Sequence, residues 1–154
     1  MESTNAEQFI FCLTPSGKAP KWLLSLAGKF SDYGIKLVPV RLDQLKILSG
    51  TSGKIHVLFI ETNFREKKWL SRCLSGFLGF AIKSKAATFY HVSSFSPMGI
   101  YLGNSKNKSY QHFSLPIKSQ TLVNSIAKIF WESKEESSRW PGGRSPRLSS
   151  SVVE

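Results

Sequence analysis

Acidic side chains are scarce in this chain. Of its 154 residues, 10 are Asp or Glu against 21 Lys or Arg, a formal net charge of +11 at neutral pH. That sign and size direct the surface towards anionic partners: nucleic acid, anionic lipid or an acidic protein face. Cysteine is equally sparse. Cys12 and Cys73 stand alone inside apolar runs, with no CxxC pair and no His/Cys cluster at metal-ligand spacing. A zinc site and a dithiol redox centre are therefore not expected, and both thiols read as small buried hydrophobes. The histidines are His56, His91 and His112, scattered among apolar segments without a Ser/Asp or Cys partner in a recognisable motif. They read as strand residues with structural hydrogen bonds rather than parts of a triad. Ser16-Gly17-Lys18 lacks the spacing of a phosphate-binding P-loop. No apolar run reaches the roughly 18 residues of a membrane span, and the first residues, MESTNAEQ, lack the basic-then-apolar order of a secretory signal. These absences set the expectation of a cytoplasmic protein that is not an enzyme and uses no metal or cofactor.

What is present is a core. Hydrophobic residues make up 41% and aromatics 12%, enough for one domain. Short apolar runs at 9–13, 35–40, 55–60, 88–92 and 110–115 read as strands, and a continuous run suits a strand buried on both faces of a parallel sheet. Pro39 cannot donate a ladder hydrogen bond, which places the second strand at a sheet edge. Helical spacing links Trp22, Leu23, Leu26, Ala27, Phe30 and Tyr33, opened by Ala19-Pro20 and closed by Gly34. Leu42, Leu45 and Leu48 mark a short helix ending at Ser49-Gly50. One long helix is expected within 65–83, with an apolar stripe through Trp69, Leu70, Cys73, Leu74, Phe77, Leu78 and Ala81. Gly99 and Gly103 leave 96–109 ambiguous. Ser119 N-caps a last helix carrying Leu122, Val123, Ile126, Ala127 and Phe130. The domain is expected over 9–132, between a flexible segment, 1–8, and a disordered Ser/Arg/Pro-rich tail, 133–154.

Strand and helix alternate five times, which implies an α/β fold: a (βα)5 doubly wound parallel sheet. In such sheets ligands bind at the carboxyl ends of the strands. At this point the chain resembles the receiver domain of two-component response regulators, over about residues 8–131. Phe113-Ser114-Leu115-Pro116-Ile117, followed by Leu122-Val123-Asn124-Ser125-Ile126, is similar to the receiver's Lys-Pro motif and final helix. Ser93, ending the fourth strand, falls where that family has its Ser or Thr. The interval from Ser93 to Leu115 also resembles the family's. The resemblance implies a flavodoxin-like sheet of order 2-1-3-4-5, which puts the second strand at an edge in agreement with Pro39.

The departures from the family pattern define a degenerate phosphoacceptor pocket: Thr14, Glu61, Thr62, Ser93 and Leu115. Where receivers hold Mg²⁺ with an acidic pair, this chain reads Leu13-Thr14-Pro15-Ser16, without the oxygen ligands a hard cation needs. The phosphoacceptor position falls at Glu61, the phosphate-binding lysine at Leu115 and the aromatic switch near His112. Glu61 reads either as a fixed carboxylate imitating a phosphorylated Asp or as a capping or solvated loop acid. Ser16, Gly17, Lys18, Arg65 and Ser94 make a second candidate set, an anion-binding cluster near helix N-termini, against an ordinary polar loop cluster. Basic residues crowd 62–118: Arg65, Lys67, Lys68, Arg72, Lys83, Lys85, Lys106, Lys108 and Lys118, against Glu66 alone. In receivers the face built from the fourth helix, fifth strand and fifth helix docks partners; Tyr101, Lys106, Lys108, His112 and Lys118 would form it here. The expected function is a pseudo-receiver that binds a protein partner, an acidic one or a second copy of itself, without aspartyl phosphorylation. The alternative is a basic nucleic-acid- or anion-binding regulatory protein on the same fold, although no helix-turn-helix, RNP-type or zinc motif is present.

Overall fold

The computed structural model describes residues 8–52, 54–94 and 109–138. Five parallel strands form one sheet: β1 (Gln8–Leu13), β2 (Ile35–Val40), β3 (Ile55–Ile60), β4 (Ala87–Ser93) and β5 (Tyr110–Ser114). Their order is β2-β1-β3-β4-β5, the flavodoxin-like arrangement. Pro39 lies on the edge strand, where its missing N–H leaves no gap in a central ladder.

The helices are α1 (Lys21–Ser31), α2 (Leu42–Ser52), α3 (Phe64–Leu74), α4 (Phe77–Lys83) and α5 (Ser119–Ser138). They cover the sheet with two apolar layers. On one face Leu23, Leu26 and Phe30 of α1 and Leu122, Val123, Ile126 and Phe130 of α5 pack on Ile10, Cys12, Leu37, Leu58, Tyr90 and Val92. On the other, Leu45, Leu70, Leu74, Leu78 and Ile82 pack on Leu13, Val40, Val57, Phe59 and Phe89. Each such fully buried Leu, Ile or Phe contributes about 1.5–3 kcal/mol of transfer free energy. Both thiols are buried and free. Burial pushes the Cys73 thiol up to about 11 and the Cys12 thiol higher still, so neither is a thiolate at neutral pH.

Three boundaries differ from the sequence reading, the first being α2, which runs to Ser52 past the end expected at Ser49-Gly50. The helix expected within 65–83 is two helices, broken at Ser75-Gly76, where Gly76 leaves helical geometry at φ −120° and ψ −132°. The cause lies one turn later. A Cβ on Gly79 would stand 1.8 Å from the Leu74 carbonyl oxygen, so α4 doubles back against the end of α3 at a distance a side chain would forbid. The last helix, α5, runs to Ser138, past the boundary placed at 132. The ambiguous stretch 96–109 and the rest of the tail lie outside the described residues, apart from Ser109.

Ser119, expected as the N-cap of the last helix, is instead its first residue, and the Lys118 carbonyl accepts the Leu122 N–H at 2.9 Å. The expectations around α1 hold. Pro20 caps α1, and Gly34, at φ +75°, makes the turn into β2 that only glycine adopts without strain. The indole N–H of Trp131 on α5 donates to the Tyr33 carbonyl at 3.0 Å, tying the last helix to that turn.

The two glycines predict opposite outcomes for one chemical change. Gly79→Ala drives a methyl into backbone and should cost about 3 kcal/mol. Gly28, inside α1 with nothing within 4 Å of its Cβ position, should accept alanine and gain about 0.5–1 kcal/mol. Urea midpoints of the two variants against the parent measure both; equal shifts would contradict the close approach of α4 to α3.

Candidate functional site

The sheet sends β1, β3, β4 and β5 to one rim, and the sequence candidates distribute around it. Thr14 follows β1 and is buried. Its amide donates to the Val40 carbonyl at 2.9 Å and its hydroxyl accepts the Gly17 N–H at 2.7 Å, in a turn where Gly17 has φ +79°. Ser16 holds the Lys18 amide at 3.2 Å. Thr14, Ser16 and Lys18 line a small crevice of about 190 Å³ with Trp22, Phe59 and Glu66. Of the proposed anion set, Ser16 and Lys18 therefore share a space. Arg65 lines a neighbouring groove instead, the Gly17 amide is already bonded, and Ser94 is exposed after β4.

At the start of α3 the sequence Thr62-Asn63-Phe64-Arg65-Glu66 forms an interlocked cap. The Asn63 side chain accepts the Glu66 N–H at 2.9 Å, while Glu66 Oε1 accepts the Thr62 N–H at 2.8 Å and the Thr62 hydroxyl at 2.6 Å. This arrangement resembles a capping box and satisfies donors the first helical turn leaves open. Thr62 is thus a capping residue, and the capping role considered for Glu61 belongs to Asn63 and Glu66.

Glu61 turns inward. Its Oε1 lies 3.2 Å from Nε2 of His91, a fully buried side chain on β4. The other ring nitrogen of His91, Nδ1, is 3.0 Å from the Tyr110 hydroxyl on β5. Proton accounting fixes the tautomer. An ionised Glu61 only accepts, so Nε2–H of His91 donates to it and Nδ1 accepts from the Tyr110 O–H. Burial, then His112 and Lys67, lower His91 to about 3, and burial raises the Glu61 carboxyl above its ordinary range. The imidazole is neutral at physiological pH.

A second pair lies beside the first. Ser93 Oγ is 2.9 Å from Nε2 of His112, and the His91 and His112 rings meet edge to face at 5.4 Å. This is a serine–histidine contact, but Ser93 is 1% exposed and no carboxylate backs His112 among the described residues. It lacks both the access and the orienting acid that make a hydroxyl nucleophilic. The third histidine, His56 on β3, bonds the Tyr90 hydroxyl at 2.9 Å and meets the Phe130 ring at a tilt, centroids 4.5 Å apart, on the opposite face of the sheet. Burial, with Lys134 and Lys54 nearby, lowers it to about 3. All three histidines are strand residues with structural hydrogen bonds.

Sequence reading did not pair these groups, because the partners are far apart in the chain and meet through strand register. Phe59 opposes His91, and His91 opposes His112. The available signal was polar residues two apart inside apolar strands: His91 and Ser93, Tyr110 and His112.

Leu115, at the position expected for a phosphate-binding lysine, is 37% exposed, and its amide donates to the Ser93 carbonyl at 3.0 Å. Lys118 is exposed and His112 partly buried. Tyr101, Lys106 and Lys108, expected on the same face, lie outside the described residues. Among the described residues no three His, Cys, Asp or Glu side chains converge as a metal site, and no helix is long and apolar enough to cross a membrane.

The buried histidines predict an acid-sensitive fold. Their folded pKa lies below the ordinary value of 6.5, so between about 6.5 and about 3 the unfolded chain binds protons the folded chain excludes. Stability is present above that window and is lost as pH falls, by up to about 1.4 kcal/mol per pH unit for each imidazole. Glu61, raised, opposes this near its own titration. His56→Gln keeps a hydrogen-bonding side chain beside Tyr90 and should roughly halve the slope of urea-derived stability between about pH 6.5 and about pH 5. A flat profile in the parent would contradict neutral buried histidines.

A scan against protein-family models matches none, and a search of curated proteins finds no similar sequence. The chain is a flavodoxin-like α/β protein by its fold.

Proposed function

We propose that this protein is a pseudo-receiver, a signalling module that works by binding a protein partner and not by accepting a phosphoryl group. The observation that carries this reading is the engagement of Glu61. The carboxylate at the position resembling the phosphoacceptor is held by the buried Nε2–H of His91, not presented to a cleft. The rest of the rim agrees. Thr14 stands where the metal-binding acids would be, and its hydroxyl oxygen accepts the Gly17 N–H. Leu115, an exposed aliphatic, replaces the cation that would stabilise a transferring phosphoryl group. Without metal and lysine such a transfer lacks most of its electrostatic stabilisation. The docking surface in this reading is the outer side of β5 and the start of α5. There Leu115 and Lys118 are exposed beside a partly buried His112, and the surface suits an acidic partner or a second copy of the chain.

The test is incubation with acetyl phosphate or phosphoramidate and Mg²⁺, followed by intact mass. No added phosphoryl group is expected, and a stoichiometric, labile one would overturn the reading. A photocrosslinker at Lys118 should then trap a specific protein, with Leu115→Asp abolishing capture and leaving the circular dichroism unchanged. Capture insensitive to Leu115→Asp would remove this face from the proposal.

A further inference from the structure

On the sheet face opposite α5, α3 and the loop after β1 enclose an open groove of about 480 Å³. Pro15 forms one side. Arg65, Lys68, Trp69 and Arg72 form the other, with Glu66 among them. The cations lie three and four residues apart, so they share one stripe of α3 about 10 Å long. Glu66 keeps its negative charge while its Oε1 accepts the Thr62 amide and hydroxyl, so the groove carries three cations against one carboxylate. Arg65 and Arg72 are exposed and have no carboxylate partner among the described residues. No acidic residue occurs in the sequence between Glu66 and Glu132, so within α3 Glu66 is the one acid against these cations.

Helix stability does not account for Arg65. It sits in the first turn of α3, where the helix dipole disfavours a positive charge. Core packing accounts for only part of Trp69. One side of its indole packs towards Phe59, with ring centroids 5.9 Å apart, and the half-buried ring also lines the groove.

A flat aromatic beside a row of cations is the combination that binds single-stranded nucleic acid: bases stack on the ring while phosphates pair with the cations. The groove volume lies within the roughly 300–1,000 Å³ of small-ligand sites, room for a nucleotide unit and not for a duplex. An acidic peptide would use the cations and leave the indole without a role. We infer that the α3 groove binds a short stretch of single-stranded nucleic acid, with a base against Trp69 and its flanking phosphates on Arg65, Lys68 and Arg72. This site is independent of the β5/α5 face, and either can fail without the other.

The experiment is anisotropy titration of a labelled single-stranded oligonucleotide with the full chain across about 50 to about 200 mM salt. Three phosphate contacts predict a log–log salt slope of about −2. Arg65→Ala with Arg72→Ala, both on the surface, should weaken binding at least about tenfold and reduce the slope to about −0.7, with circular dichroism unchanged. Trp69→Phe, which retains a ring in the core, should weaken binding without changing the slope. The inference is overturned by absence of binding at the lowest salt or by a double-arginine variant that binds like the parent, which would put the contact elsewhere. It is overturned as well by equal competition from polyglutamate, which would make the groove a general polyanion site. Mononucleotide binding as tight as the oligonucleotide would assign the groove to a free nucleotide and overturn the strand.

Discussion

The fourth strand has no solvent face, and much of the molecule's polar chemistry follows from that. All seven side chains from Ala87 to Ser93 are buried, yet Thr88, Tyr90, His91 and Ser93 carry polar atoms. A buried polar group left without a partner costs about 1–3 kcal/mol. The neighbouring strands supply partners for three of them: His56 from β3 for Tyr90, Tyr110 from β5 and Glu61 after β3 for His91, and His112 from β5 for Ser93. Each bond requires the observed parallel register. A slip of one residue would turn every one of these side chains to the opposite layer, so the network specifies the alignment of three strands as well as being satisfied by it.

That constraint shapes what the rim can do. Doubly wound sheets bind ligands at the carboxyl ends of their strands, and here the groups that reach those ends are bonded to one another. Glu61 is taken by His91, Glu66 and Thr62 by the start of α3, and Thr14 by its own turn. A site that spends its carboxylates and hydroxyls on internal hydrogen bonds has few left for a metal ion or a phosphoryl group. The crevice between β1 and β3 is accordingly small, about 190 Å³. Both surfaces proposed for recognition, at the exposed end of β5 and along α3, lie outside this network.

Much of the fold was legible in the sequence because it rests on local signals. Apolar runs gave the strands to within a residue or two, Pro39 marked an edge, and alternation with helices gave a parallel sheet. The division of α3 from α4 was not legible. The apolar stripe continues across Ser75-Gly76, and the reason for the break, Gly79 against the Leu74 carbonyl, is a contact between backbones that periodicity cannot register. The candidate site was legible by position and not by partner. Glu61, Ser93 and His112 were all singled out, but hydrogen bonds spanning 30 and 19 positions depend on register, which comes only with the assembled sheet.

Trp69 illustrates the same limit from the other side. Its helical spacing with Leu70, Cys73 and Leu74 places it in the apolar stripe, and Phe59 does meet one side of its ring. Spacing gives a direction around the helix but not how far the core extends to meet it. Trp69 is only partly buried, and its indole lines the groove together with Arg65 and Arg72. The buried network is paired within itself, whereas the arginines of the stripe have no acidic partner among the described residues. Removing an exposed arginine takes nothing from the core, whereas removing a member of the network strands a buried partner. The α3 surface is therefore free to change its side chains over a sheet that is not free to change its register.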